Sequence, residues 1–223
     1  MLIADIQKVS LLDYPGKISA VVFVPHCNMR CWYCHNEHIL GDGTALLDEA
    51  SVLSYLEKRR GCLQAVVVSG GEPTLQSGLK LFLERVKEMG FLAKLDTNGL
   101  KPDRVRELLQ AGLLDYVAMD IKAGPEKYST VTQVACDMEK IRKSIFYIRN
   151  SGIAHEFRTT FAPDLTKADI LSAVELICGT KAYYLQQYRK RKPTDPDPHK
   201  IAYVRETAEA VREKIGVCEI RGL

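Results

Sequence analysis

No apolar run in the sequence approaches the length that crosses a bilayer, and the first ten residues, MLIADIQKVS, carry Asp5 and lack the apolar core of a secretory signal. A soluble, cytoplasmic protein with no membrane partner is expected. Net charge is scarce too. The 31 Lys and Arg against 28 Asp and Glu leave +3, too little to make a nucleic acid the obvious partner. No low-complexity tract, internal repeat or long linker interrupts the 223 residues, so one domain over 1–223 is expected. A disulfide framework is missing as well. The seven cysteines are an odd number, with Cys27, Cys31 and Cys34 crowded together and Cys62, Cys136, Cys178 and Cys218 scattered. That distribution suits a metal site in a reducing compartment. What is plentiful is apolar side chain, 46% of the residues, enough to fill a substantial core.

Period decides the local structure. The β-branched run at residues 18–24 reads as a buried strand, and after a cysteine-rich loop Ala50, Leu53 and Leu56 mark one face of a helix. Strand then helix repeats. Further strands are expected at 65–68, 91–95, 116–121, 153–161 and 182–185. Between and after them the spacing predicts helices at 79–86, from Pro102, at 138–148, 167–177 and 204–215. The count is six strand–helix units. Such alternation implies an α/β fold with a parallel sheet, because parallel neighbours need crossover helices. Two architectures compete: an open doubly wound sheet and a partial barrel, six units being too few for the usual eight-stranded closure. Both place ligands at the C-terminal ends of strands. Residues 188–200 (YRKRKPTDPDPHK) carry three prolines and read as an exposed loop, a candidate surface for docking a partner.

The cysteine loop follows the first strand directly, with Cys27, Cys31 and Cys34 at a C-x3-C-x2-C spacing. Thiolates this close repel one another unless a cation holds them, and soft sulfur selects zinc, copper(I) or an iron–sulfur cluster. A closed tetrahedral site, or an ordinary 4Fe-4S cluster, takes four thiolates, yet Cys62 lies beyond a whole predicted helix. One metal position is therefore open to a substrate. The competing reading is structural zinc held by the three cysteines and His26, His35 or His38, in a binding module with no reaction at all. Trp32 and Tyr33 are placed to shield the metal from water, although plain packing explains them equally.

Polar residues gather where the other strands run out. The second ends in Gly70-Gly71-Glu72-Pro73, in which two glycines let a backbone approach a ligand and Glu72 accepts hydrogen bonds from an ammonium group. The third ends in Asp96-Thr97-Asn98-Gly99 and the fourth in Asp120-Ile121-Lys122. Helix capping by Asp96 or Asn98, and a simple Asp120–Lys122 ion pair, are the bland alternatives. Arg158 interrupts an apolar strand and must reach solvent or pair with an anion, while Gln186 and Gln187 close the last strand with amides suited to a ligand's polar edge.

Taken in order, the cysteine spacing, GGEP, DTNG and Asp120-x-Lys122 resemble the radical S-adenosylmethionine (SAM) enzymes. Residues 10–17 (SLLDYPGK), the Cys34-His35-Asn36 ending and residues 69–76 (SGGEPTLQ) are similar to the activating enzymes of glycyl radical proteins. Residues 94–99 (KLDTNG), 116–123 (YVAMDIKA), 156–160 (EFRTT) and 185–188 (LQQY) resemble, within that group, the activating proteins of anaerobic ribonucleoside-triphosphate reductase. The resemblance implies a partial (β/α)6 barrel in which Cys27, Cys31 and Cys34 hold three irons of a 4Fe-4S cluster and SAM chelates the fourth. It implies SAM contacts at Tyr33, Gly70, Gly71, Glu72, Asp96, Asn98, Asp120, Lys122, Arg158 and Gln187. It further implies reductive cleavage of SAM to methionine and a 5′-deoxyadenosyl radical, a glycyl radical enzyme as partner, and a flavodoxin- or ferredoxin-type electron donor. One cluster is expected, because only one helix separates Cys34 from the second strand and the other cysteines are widely spaced. The rivals within the superfamily are an activase of another glycyl radical enzyme, pyruvate formate-lyase-like, and an enzyme acting on a small molecule.

Overall fold

The computed structural model describes residues 1–180 and 182–223. Its strands are β1 (Asp5–Ser10), β2 (Ser19–Val24), β3 (Ala65–Gly70), β4 (Leu92–Thr97), β5 (Tyr116–Asp120), β6 (Ala154–Phe161), β7 (Tyr183–Gln187) and β8 (Cys218–Arg221). The helices are α1 (Glu49–Lys58), α2 (Leu79–Glu88), α3 (Pro102–Gln110), α4 (Pro125–Thr132), α5 (Met138–Arg149), α6 (Lys167–Glu175) and α7 (Ile201–Ile215). All eight strands form one sheet in strictly sequential order, with β1 antiparallel to β2 and every later pair parallel.

Sequential order settles the choice left open by the alternating pattern. Crossovers of one hand between successive neighbours put every helix on the same face, whereas a doubly wound sheet reverses its order part-way. The sheet is the partial barrel, with β1 and β8 as unpaired edges that leave it open along one side. The six expected units correspond to β2 through β7. The expectation missed three elements for physical reasons. The edge strand β1 (DIQKVS) is mostly exposed and lacks an apolar alternation, β8 is four residues long, and α4 (PEKYSTVT) is a short helix opened by Pro125.

Capping fixes where the longer helices begin. The Asp48 side chain accepts from Ser51 N at 2.9 Å to start α1, and Thr166 with Asp169 forms a reciprocal capping box on α6. On α2, Leu79, Phe82, Leu83 and Val86 are completely buried against the sheet. Each contributes roughly 1.5–3 kcal/mol of burial, and Phe82→Ala would cost about 3–5 kcal/mol.

The two faces of the sheet carry different chemistry. Val22, Val66, Leu95, Val117 and Met119 pack beneath the helices in the main core. On the concave face, Val21, Ala65, Val67 and Tyr116 form a second, smaller cluster that Tyr14 plugs from the β1–β2 loop. That cluster is the barrel floor. Nearer the C-terminal ends the concave positions turn polar, as the register shows: Asp96 lies beside Ala118, Asp120 beside Arg158 and Thr160 beside Gln186.

Candidate active site

Twelve of the thirteen residues singled out from the sequence line one cavity of about 160 Å³ at the C-terminal ends of the strands: Cys27, Cys31, Cys34, Tyr33, Gly70, Gly71, Glu72, Asp96, Asn98, Asp120, Lys122 and Arg158. Gln187 is the exception. Side chains alternate along a strand, so with Arg158 and Thr160 on the concave face their partners Tyr184 and Gln186 share it, and Gln187 faces the helices. Its Nε2 donates instead to His199 O at 2.8 Å. Only the pairing of β6 with β7 assigns the two glutamines to opposite faces.

The glycines, which line the cavity, also permit a close approach within the chain itself. At Gly71 a Cβ would lie 1.9 Å from His26 O, and at Gly70, which has φ of 109°, it would lie 2.5 Å from Val24 N. What approaches closely is therefore the chain's own cysteine loop. Glu72 N donates to His26 O at 2.8 Å, and Asn36 Nδ2 donates to Gly70 O at 2.8 Å, so this turn and the cysteine loop are built as one body. His26 itself adopts a left-handed φ of 66° where the loop departs from β2.

Glu72 is only 1% exposed and ties β3 to β4. Its Oε1 accepts from Thr74 N, Thr74 Oγ and Thr97 Oγ1, and its Oε2 accepts from Asn98 N at 2.7 Å. Burial pushes its carboxyl above the usual range against the pull of these donors. Oε2 keeps room for a further donor.

Across the cavity runs a ladder of alternating charge. Lys94 Nζ stands 3.0 Å from Asp96 Oδ1, and Arg158 Nη2 stands 3.1 Å from Asp96 Oδ2. Arg158 Nε then bonds Asp120 Oδ1, and Lys122 Nζ meets Asp120 Oδ2 at 2.9 Å. Burial works against both carboxylates, but Arg158 with Lys94 holds Asp96, and Arg158 with Lys122 holds Asp120, below the ordinary range. Three cations against two carboxylates leave one positive charge in excess. Lys94, Ser69 and Thr160 stand within the quoted motifs but were given no role of their own, because that role depends on neighbouring strands. Lys94 sits two residues before Asp96, and alternation from that position was the available signal.

The thiols are not poised for reaction on their own. Burial raises Cys27 to about 11, so that it stays protonated until a cation displaces the proton, and burial shifts Cys31 upward as well. Asn98 Nδ2 lies 3.7 Å from Cys27 Sγ, and Met29 N donates to the same sulfur at 3.4 Å. Among the described residues no three His, Cys, Asp or Glu side chains meet at a point where a single ion would sit. Structural zinc requires such a point; a cluster takes one thiol per iron and needs the sulfurs set around it. Two buried polar atoms also await partners. The Tyr33 hydroxyl has none, and Asp96 Oδ1 has Lys94 near but no aligned donor. The residues fit a sulfur-ligated cluster with a polar ligand beside it.

The radical SAM superfamily profile matches residues 21–177. A Methanocaldococcus jannaschii protein with the provisional name glycyl-radical enzyme activating enzyme is 33% identical over 211 residues, covering 92% of this chain and 87% of its own. A Methanococcus vannielii protein provisionally named GTP 3′,8-cyclase is 28% identical over 177 residues, and the match covers 78% of this chain but 58% of that one. Streptococcus suis SuiB bound to S-adenosylmethionine shares the fold, with a TM-score of 0.68 at 14% identity over 87% of this chain and 47% of its own. No described helix is long and apolar enough to cross a membrane. The chain belongs to the radical SAM superfamily, whose members work with a 4Fe-4S cluster and S-adenosylmethionine.

Proposed function

We propose that the protein is an activase that generates a glycyl radical on a partner enzyme, an anaerobic ribonucleoside-triphosphate reductase, using SAM and an electron from a flavodoxin- or ferredoxin-type donor. The observation that carries the reading is the meeting in one cavity of three cysteines, with no fourth among the described residues, and the charged groups Asp96, Arg158, Asp120 and Lys122. The relative that this chain nearly spans end to end supports the activase class. The same reading takes 1–223 as one domain, in keeping with a sheet that runs from Asp5 to Arg221, and puts it in the cytoplasm, where the exposed Cys62 and Cys178 stay reduced.

In this reading Cys27, Cys31 and Cys34 hold the cluster. Glu72 Oε2, with its spare acceptor capacity, takes the methionine ammonium, while Lys122 and Arg158 take the carboxylate. Asp96 and Asp120, pinned by Arg158, bind the ribose hydroxyls, and Asn98 and Tyr33 close the wall around the ligand. Gly70 and Gly71 keep the Glu72 turn pressed against the cysteine loop. When bound, the cluster and SAM supply one-electron cleavage of the sulfonium and a radical that takes a hydrogen atom from the partner's glycine. The open side between β1 and β8 gives that glycine a way in. The test mixes reduced protein, SAM and a candidate reductase and looks for a glycine-centred radical by electron paramagnetic resonance. SAM consumption with no such radical for any glycyl radical protein would favour the second reading, a small-molecule enzyme, which the cyclase-named relative supports.

A further inference from the structure

Residues 188–200 are less free than three prolines suggest, because they are strapped onto the outside of the cysteine loop. Tyr188 is 1% exposed, with its ring centre 5.5 Å from that of Trp32. The Arg191 guanidinium reaches 157 residues back along the chain, donating from Nη1 to Cys34 O at 3.3 Å and to Glu37 Oε2 at 2.8 Å. Asp195 Oδ2 holds the strap's own turn by accepting from Arg191 N at 2.9 Å and Lys192 N at 3.1 Å. At the far end His199 O receives Gln187 Nε2, and the His199 ring meets Ala162 O and Leu165 O at 3.1 and 2.9 Å.

Charge on this strap is lopsided. Arg189, Lys190, Arg191, Lys192 and Lys200 stand against Asp195 and Asp197, five minus two, a net +3 within thirteen residues. Lys190 is matched by Asp197 at 2.6 Å and Arg191 by Glu37, whereas Arg189 and Lys192 are exposed and have no ion-pair partner among the described residues. The active-site cavity is lined by Cys34, His35 and Asn36 but by no residue of the strap. The strap therefore lies behind the cysteines rather than over the pocket that would hold SAM.

We propose that this strap is the docking surface for an acidic, flavin-bearing one-electron carrier protein. The inference rests on the activase reading, which needs two visitors: a glycine that must approach from the cavity side and a reductant that need not. A basic surface fastened to the backbone of Cys34 offers the reductant its own approach, and opposite charge both steers and orients it. The reduced carrier gives up one electron and leaves oxidised by one; Cys27, Cys31 and Cys34 would hold the cluster that receives it.

The test measures binding of an acidic flavodoxin to the cluster-loaded protein by calorimetry at low and high salt, for wild type and for the double variant Arg189→Glu, Lys192→Glu. Wild-type affinity should fall with salt, and the double variant should bind roughly tenfold or more weakly at low salt, while Arg189→Lys with Lys192→Arg binds as wild type. Dithionite-driven release of 5′-deoxyadenosine, and glycyl radical formation with dithionite, should be unchanged in the double variant. Equal flavodoxin binding by wild type and the double variant, or none by wild type at low salt, would overturn the proposal. So would a double variant that binds flavodoxin normally but forms no glycyl radical with dithionite, since the strap would then serve the glycine-bearing partner. Failure of wild type to cleave SAM with dithionite would instead remove the activase reading, and the need for a carrier with it.

Discussion

At the floor of the partial barrel Glu156 is completely buried and both its oxygens are taken: Arg221 reaches Oε1 and Oε2 at 2.7 and 2.8 Å, and Tyr116 OH adds 2.9 Å to Oε2. The Arg221 guanidinium lies 3.4 Å from the centre of the Tyr184 ring. At the rim, a few ångströms along the same concave face, the Tyr33 hydroxyl lacks a hydrogen-bond partner, Asp96 Oδ1 has no aligned donor, and three half-buried thiols line a cavity. Both ends bury charge on similar strands. A charge whose partners are all internal holds β6 to β8, and one with vacancies awaits a ligand. Lys94 bridges the two, with Nζ 2.5 Å from Asp13 O in the floor loop and 3.0 Å from Asp96 at the rim.

Substitutions should separate the two ends cleanly. The largest effect belongs to the rim: Cys31→Ala should abolish 5′-deoxyadenosine release and cluster loading, with a urea unfolding midpoint of the metal-free protein close to wild type. Retained SAM cleavage would break the cluster assignment. At the floor, Glu156→Ala strands Arg221 and Tyr116 and should cost about 3 kcal/mol of unfolding free energy, at the low end for a broken buried pair because Arg221 is 34% exposed. SAM affinity of the folded fraction should move little; a large loss would merge the two regions.

The next effect is electrostatic. Asp96 and Asp120 are held below the ordinary carboxylate range, so the stability they contribute is present above the unfolded value of about 4 and is lost as pH falls from there. The unfolding midpoint of metal-free wild type should therefore drop as pH falls from about 4 to about 2, and Asp120→Asn should flatten that slope. An unchanged slope would show that the ladder is solvated. Smallest of all, Gln187→Ala should leave SAM affinity within about twofold of wild type by equilibrium dialysis, because its amide is bound to His199 O on the helix side of β7.

The cysteine loop and the strand-end motifs were legible because their residues are near neighbours in sequence, and β2 and β3 announce themselves by β-branched runs. The edge strand β1 was hidden, since its side chains are mostly exposed and no apolar pattern marks it. Gly70 and Gly71 were recognisable as positions of close approach, but not that the backbone of Val24 and His26 does the approaching. Arg158 announced a need for an anion without saying which, and it found two, on β4 and β5. The loop at 188–200 was legible as irregular and basic, while its attachment to Cys34 was not.

Sequence alone determined the sulfur chemistry, because a C-x3-C-x2-C loop fixes three donors within a few residues whatever surrounds it, and it determined the strand–helix alternation, because period is local. Tertiary structure decided which charges meet, which glutamine faces inward and what covers the cysteine loop. Those contacts join strands and loops far apart in the chain, and they exist only once register and the curl of the sheet have chosen a face for every side chain.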